Sequence, residues 1–161
     1  MDRLFCPWRY AYVTSIKPSD PGCILCDLAG GETTRDEEEL VLSRTDHHFV
    51  VLNRYPYNTA HLMIVPNTHT SRLTDLPLPA LHEMWELAAR AEAVVQEVYR
   101  PDGLNMGLNL GRYAGAGIAD HLHLHVVPRW PGDTSFISVT GETRVLPETL
   151  EQTWTKLRER F

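Results

Sequence analysis

The sequence predicts an α+β fold: a mostly antiparallel sheet of about five strands, one long central helix and a C-terminal helix. Three observations carry that expectation. Short Val- and Leu-rich runs bounded by Pro, Gly and Asn recur along the chain, as strands do. Residues 79–100 place Leu81, Met84, Trp85, Ala88, Ala91, Val95 and Val98 on one stripe at helical spacing. Residues 147–161 repeat that spacing with Leu150, Trp154, Leu157 and Phe161. Runs of strands with segregated helices, not strict alternation, favour α+β.

The elements follow in order. Residues 1–22 mix Phe5, Trp8, Tyr10, Tyr12 and turn formers without a period, and read as an irregular arm. The polar, acidic stretch Gly30 to Glu39 reads as an exposed loop. Glu39 to Thr45 and His48 to Asn53 read as strands. Tyr55-Pro56-Tyr57-Asn58 is a turn, and His61 to Val65 is a buried strand stopped by Pro66, so that 48–65 forms a hairpin. Pro101-Asp102-Gly103 ends the long helix. Leu104 to Leu110 is the next strand, followed by a glycine-rich turn over Gly111 to Gly117. His121 to Val127 is a strand bounded by Pro128, and Phe136 to Val139 is a further short one. Pro147 suits the first turn of the closing helix.

The chain of 161 residues fits a single domain, 1–161, with its core at about 23–139. At that length roughly 70% of the extended surface is buried on folding, so no staples are needed. Three cysteines are too few for a disulfide scaffold. The start lacks the apolar core of a signal peptide, and no apolar run approaches a membrane span. These features predict a cytoplasmic protein without a membrane role. A net charge of -6 argues against coating nucleic acid.

The informative segment is Asp120-His-Leu-His-Leu-His-Val-Val-Pro128. On a strand, side chains alternate faces, so His121, His123 and His125 share one face while Leu122, Leu124 and Val126 face a core. The rings stand roughly 6.5–7 Å apart along the strand, too close for all three to be protonated. Three surface histidines, a three-His metal site, and nucleophilic catalysis by one imidazole are the available readings. A ring with one nitrogen tied to an acceptor presents the other as a nucleophile near neutral pH. The glycine-rich turn supports catalysis, because consecutive backbone N–H groups there can cradle an anion. Gly115 and Gly117 are the candidates. A nucleophilic His beside an anion cradle points to phosphoryl or nucleotidyl transfer.

His121-Leu-His-Leu-His-Val-Val127 resembles the signature of the histidine triad (HIT) family, in which histidines alternate with apolar residues. The resemblance extends over about residues 23–133. Gly107-Leu-Asn-Leu-Gly111 and His125-Val-Val-Pro-Arg-Trp-Pro-Gly-Asp133 are similar to its diadenosine tetraphosphate phosphorylase-like branch, with the fragile histidine triad branch close by. The resemblance implies a HIT-like fold and an enzyme that cleaves dinucleoside polyphosphates at the α-phosphate. His123 would form a covalent nucleotidyl intermediate, which water or phosphate releases. It implies that His125 contacts the phosphate or bridging oxygen, that His121 supports the site, and that His61 lies nearby. Asn53 matches a ribose-binding position and Asn109 a phosphate-contacting one. Arg129 is a further candidate for phosphate, and Mg2+ would arrive with the substrate. The polar residue common before the triad is missing from Gly115-Ala-Gly-Ile-Ala119, which leaves the choice of water or phosphate open. A nucleotide-binding module with little turnover and a nucleoside phosphoramidate hydrolase are the alternatives. A homodimer, joined across the long helix and an edge strand, is also implied.

Cys23-Ile-Leu-Cys26 has the spacing of half a zinc site. Neither a βαβ unit nor a helix start is predicted around it, which speaks against a redox pair. In zinc-bearing relatives such a pair is completed by the His of a Pro-x-x-His turn and by the first triad histidine. Here these are His69 and His121. The resemblance thus implies a structural Zn2+ held by Cys23, Cys26, His69 and His121.

Overall fold

The strands are β1 (Val41–Arg44), β2 (His48–Leu52), β3 (Leu62–Pro66), β4 (Gly103–Leu108) and β5 (Leu124–Arg129). The helices are α1 (Ile24–Ala29), α2 (Asp36–Glu39), α3 (Leu78–Tyr99) and α4 (Leu150–Arg158). This computed structural model describes residues 22–134, 140–141 and 145–161. Nearly all of the arm expected over 1–22, and the strand expected over 136–139, lie outside the described residues.

The strands form one sheet in the order β1-β2-β3-β5-β4, with each neighbouring pair antiparallel. Alternation gives the sheet two faces. On one face Val50, Leu52, Ile64, Leu124 and Val126 pack under α3 through Met84, Ala88, Ala91 and Val95. On the other, Val41, Phe49, Val51 and Val65 meet Leu25 and Leu28 of α1. Over β1, β2 and β3 both faces are therefore covered, and His48 to Leu52 is buried throughout. Each large apolar side chain withdrawn from water contributes about 1.5–3 kcal/mol.

The long helix starts with Pro79 in its first turn and ends where Arg100 turns left-handed (φ 47°) before Pro101. Trp85, expected on its buried stripe, is 57% exposed. It lies about 100° around the helix from Met84, and Leu87 and Val94 take the space instead. The closing helix begins three residues after Pro147, because Thr149 and Gln152 form a reciprocal capping box. On α4, Trp154 Nε1 donates to the Val41 carbonyl and Arg158 to that of Leu42, at 2.9 and 3.0 Å. These contacts cover the outer edge of β1, which would otherwise invite pairing.

Two expectations need correction near the N-terminal end of the core. The stretch 30–39 is largely exposed, as expected, but it is not a loop: it holds a 3-10 turn, α2 and the buried Asp36. Arg44 makes that burial possible, with Nε 2.9 Å from Asp36 Oδ1 and Nη1 donating to the Leu28 carbonyl at 2.6 Å. The Cys-x-x-Cys pair does open a helix, since Cys23 is the residue before α1.

Candidate active site and metal centre

The histidine strand begins later than its alternation suggests. Ladder pairing starts at Leu124, and at Leu122 the backbone N–H donates to the Thr70 carbonyl at 2.6 Å. Chain continuity still carries His121, His123 and His125 to the face opposite α3. The strand also runs through Pro128 to Arg129. Proline is tolerated there because β3 pairs only as far as Val126, so the missing N–H costs no bond on that side.

Four strands converge on this face. His125 lies opposite Met63 on β3 and Gly107 on β4. A Cβ added to Gly107 would meet nothing within 4 Å, so the floor beside His125 is open. Continuing the β4–β5 register places Asn109 across from His123. Asn53 follows β2 and pairs with His61, donating from its backbone N–H to the His61 carbonyl at 2.9 Å. The turn holding Arg112–Ala114 ends at Gly115, whose φ of 89° favours glycine. Arg129 is engaged by Asp133 in two contacts of 2.6 and 3.0 Å, and by Asn105 Oδ1 at 2.8 Å.

Hydrogen-bond partners fix the imidazole tautomers. His123 Nδ1 lies 2.8 Å from the His121 carbonyl, so Nδ1 carries the hydrogen and Nε2 of the neutral ring keeps a lone pair. His61 Nδ1 accepts from the Tyr57 backbone N–H at 3.0 Å, so its hydrogen sits on Nε2. That Nε2 is 2.9 Å from His125 Nδ1, which must accept; the Asn53 amide nitrogen, 3.4 Å from the same Nε2, then stands donor to donor and makes no hydrogen bond there. His125 therefore presents Nε2–H. Its ring stands edge-on to His123, centroids 4.9 Å apart. A ring nitrogen with its lone pair available and an N–H donor thus lie side by side, with His121, His123 and His61 almost fully buried.

The second cluster contains Cys23, Cys26, His69 and His121, whose ligand atoms all lie within 4.8 Å of one another. Cys26 Sγ is 3.1 Å from His69 Nδ1, and His121 Nδ1 is 3.3 and 3.5 Å from Cys23 and Cys26 Sγ. Sulfur and nitrogen ligands of one tetrahedral zinc stand about 3.5 Å apart, given Zn–S and Zn–N bonds of about 2.3 and 2.0 Å. Two soft sulfurs and two imidazoles at this spacing fit that ion. The other nitrogen of His121, Nε2, donates to the Pro66 carbonyl at 2.8 Å. This is the backbone support that holds a ligating imidazole in one tautomer.

A family model described as the HIT domain matches residues 34–132. The chain belongs to the HIT family. It is 40% identical over 163 residues to a Mycobacterium tuberculosis protein named AP-4-A phosphorylase, covering 95% of this chain and 80% of that one. It superposes with a TM-score of 0.67 on a Mycobacterium smegmatis protein described as a Zn-bound histidine triad family protein. Identity there is 28%, over 86% of this chain and 92% of the other. A Sulfolobus tokodaii protein described as a hypothetical histidine triad nucleotide-binding protein shares the fold at TM-score 0.67 and 24% identity, over 86% and 91% of the chains. Among the described residues, no helix is long and apolar enough to cross a membrane.

Within this HIT domain, burial holds the site neutral. It lowers His125 from 6.5 to about 4, with the neighbouring His123 adding to the effect. Desolvation also lowers His123 and the fully buried His48, the latter against the opposing pull of Glu83. His48 and His125 set a direction for acid stability. Unfolded, both take up a proton near the ordinary histidine value of about 6.5; folded, they resist it. The unfolded chain then binds more protons, so stability should fall as pH drops from about 6.5 toward 4. Urea midpoints at pH 7 and pH 5 check this, and an unchanged midpoint would contradict the neutral buried rings.

Four contributors escaped the sequence reading: the Tyr57 backbone N–H, the Pro66 carbonyl, Asn58 and Asp133. Two act through the main chain, which no side-chain motif marks. Asn58 and Asp133 stand in turns, where Asn and Asp are common for local reasons.

Proposed function

We propose that this HIT protein cleaves dinucleoside polyphosphates of the diadenosine tetraphosphate class through a nucleotidyl-His123 intermediate. The observation that carries the reading is the His123 hydrogen bond. Its Nδ1–H is committed to the His121 carbonyl, so Nε2 offers a lone pair next to the N–H of His125. The 40% identity to a protein named AP-4-A phosphorylase supports the substrate class.

In the first step, Nε2 of His123 attacks the α-phosphorus, an N–P bond forms and the bond to the bridging oxygen breaks. A polyphosphate leaves as an anion and needs no proton. His125 can therefore remain neutral and donate a hydrogen bond to the phosphoryl oxygens. His61 holds His125 in the donating tautomer. The Gly115 N–H is taken by the Arg112 carbonyl at 3.1 Å, so the backbone N–H groups that follow it, toward Gly117, receive the phosphates together with Asn109, and Asn53 receives the ribose. In the second step an oxygen of inorganic phosphate attacks phosphorus and the N–P bond breaks. Mg2+ would enter with the polyphosphate.

Incubation with diadenosine tetraphosphate, with and without inorganic phosphate, tests the reading by chromatography. Phosphate-dependent release of ADP and ATP is expected, whereas water as acceptor would give AMP and ATP. Absence of cleavage under both conditions would refute it.

The Cys23, Cys26, His69 and His121 cluster would hold Zn2+ as a closed structural ion, tying α1 to the triad segment. A homodimer fits the topology. Among the described residues, β4 has a strand partner on one side only, while α4 covers the opposite edge. Sedimentation should give about twice the chain mass of 18.3 kDa; a single-chain mass at micromolar concentration would exclude the dimer.

A further inference from the structure

We propose that Asn58, Asp133 and Arg129 form a latch that positions His125 by fixing its tautomer through the Tyr57–His61 turn. The inference rests on the proposed chemistry only for its effect on rate. The latch itself is geometric. Both hydrogens of Asn58 Nδ2 are committed, one to Asp133 Oδ2 at 2.8 Å and one to the Pro128 carbonyl at 2.9 Å. Asp133 Oδ2 also accepts from Arg129 Nε and from the Trp130 backbone N–H at 3.2 Å. Arg129 is anchored in turn on β4 through Asn105. The turn between β2 and β3 is thereby tied to the far end of β5, the strand that carries His125.

That turn needs a tie. Ala60 is buried with φ 58°, a left-handed conformation that costs a residue with a Cβ roughly 1–2 kcal/mol. Such backbone persists only where its surroundings over-determine it. Here the Asn58 carbonyl accepts from the His61 N–H at 3.2 Å, and Asn53 Oδ1 accepts from the Tyr55 N–H at 2.9 Å. The result brings the Tyr57 N–H to His61 Nδ1. If Asn58 lets go, Tyr57 can withdraw and His61 is free to carry its hydrogen on either nitrogen. His125 Nδ1 then loses its enforced donor, and the ring can turn a lone pair instead of an N–H toward an anionic phosphate. The Arg129 side chain is 46% exposed, so solvent screens its half of the pair and limits what the pair adds to stability. Its bidentate geometry gives orientation instead.

The test uses the full chain in Asn58→Ala and the milder Asp133→Asn variants. Long-range 15N–1H spectra of the imidazoles at neutral pH report each tautomer without any substrate. His125 should be the Nε2–H form in the wild type. It should become a mixture in Asn58→Ala, with a smaller shift in Asp133→Asn. The accompanying fall in kcat should be on the order of tenfold to a hundredfold, with KM moving less. If Asn58→Ala fails to fold, Asp133→Asn carries the measurement. A retained Nε2–H form of His125 in whichever variants fold overturns the latch. A wild type inactive on dinucleoside polyphosphates, with the tautomer still shifting in the variants, removes the proposed substrate and leaves the latch standing.

Discussion

Replacing His123 by alanine should lower turnover of a dinucleoside polyphosphate by on the order of a thousandfold or more, while nucleotide binding and folding persist. The size follows from what is lost. Without Nε2 there is no nitrogen to take the phosphoryl group, and His125, with its lone pair on Nδ1 occupied by the His61 hydrogen, cannot substitute from the same position. Folding should survive because His123 stands on the site face, outside the core under α3. Among the described residues, its side chain hydrogen-bonds only to a neighbouring carbonyl. His125→Ala should retain more activity, since its N–H stabilises charge without forming a bond to phosphorus. Steady-state assays with nucleotide binding measured by calorimetry check both. His123→Ala activity within about tenfold of wild type would place the nucleophile elsewhere.

The sequence made one face of the site legible and left its supports obscure, for reasons visible in individual residues. Alternation along 121–126 put three histidines together because a period of two survives even where ladder pairing does not. The start of the strand was misplaced because Leu122 bonds Thr70, a partner 52 positions away in sequence, instead of continuing the ladder. The six-residue helix after Cys23 is too short to show a hydrophobic period. Asp36 read as solvent-exposed because its acidic neighbours are, yet Arg44, eight residues on, draws it inward. The turn Tyr55–Asn58 was recognised as a turn. That its Tyr57 N–H decides the hydrogen of His61 could not be read, because every residue except proline carries the same group.

Cys26→Ser should release metal and lower stability by more than about 2 kcal/mol, the range reached when a protein loses a bound metal. Purified wild type prepared without chelators should hold close to one zinc per chain, by elemental analysis. The donor set argues for that ion, with two thiols and two imidazoles at tetrahedral spacing. Burial and the adjacent Cys23 raise the Cys26 thiol above its ordinary value, so a bare pair resists ionising together. A divalent cation reverses that preference, and its binding free energy becomes folding free energy. The cross-link would join α1, the turn after β3 and the segment entering β5, three pieces far apart in sequence. Activity should fall less than in His123→Ala, because the ion is closed to substrate. It should fall more than for a remote surface change, because the His121 carbonyl orients the nucleophile. Thermal melting of wild type with and without a chelator supplies the second readout. A metal-free wild type whose melting is indifferent to chelator would leave Cys23 and Cys26 as an incidental pair of thiols.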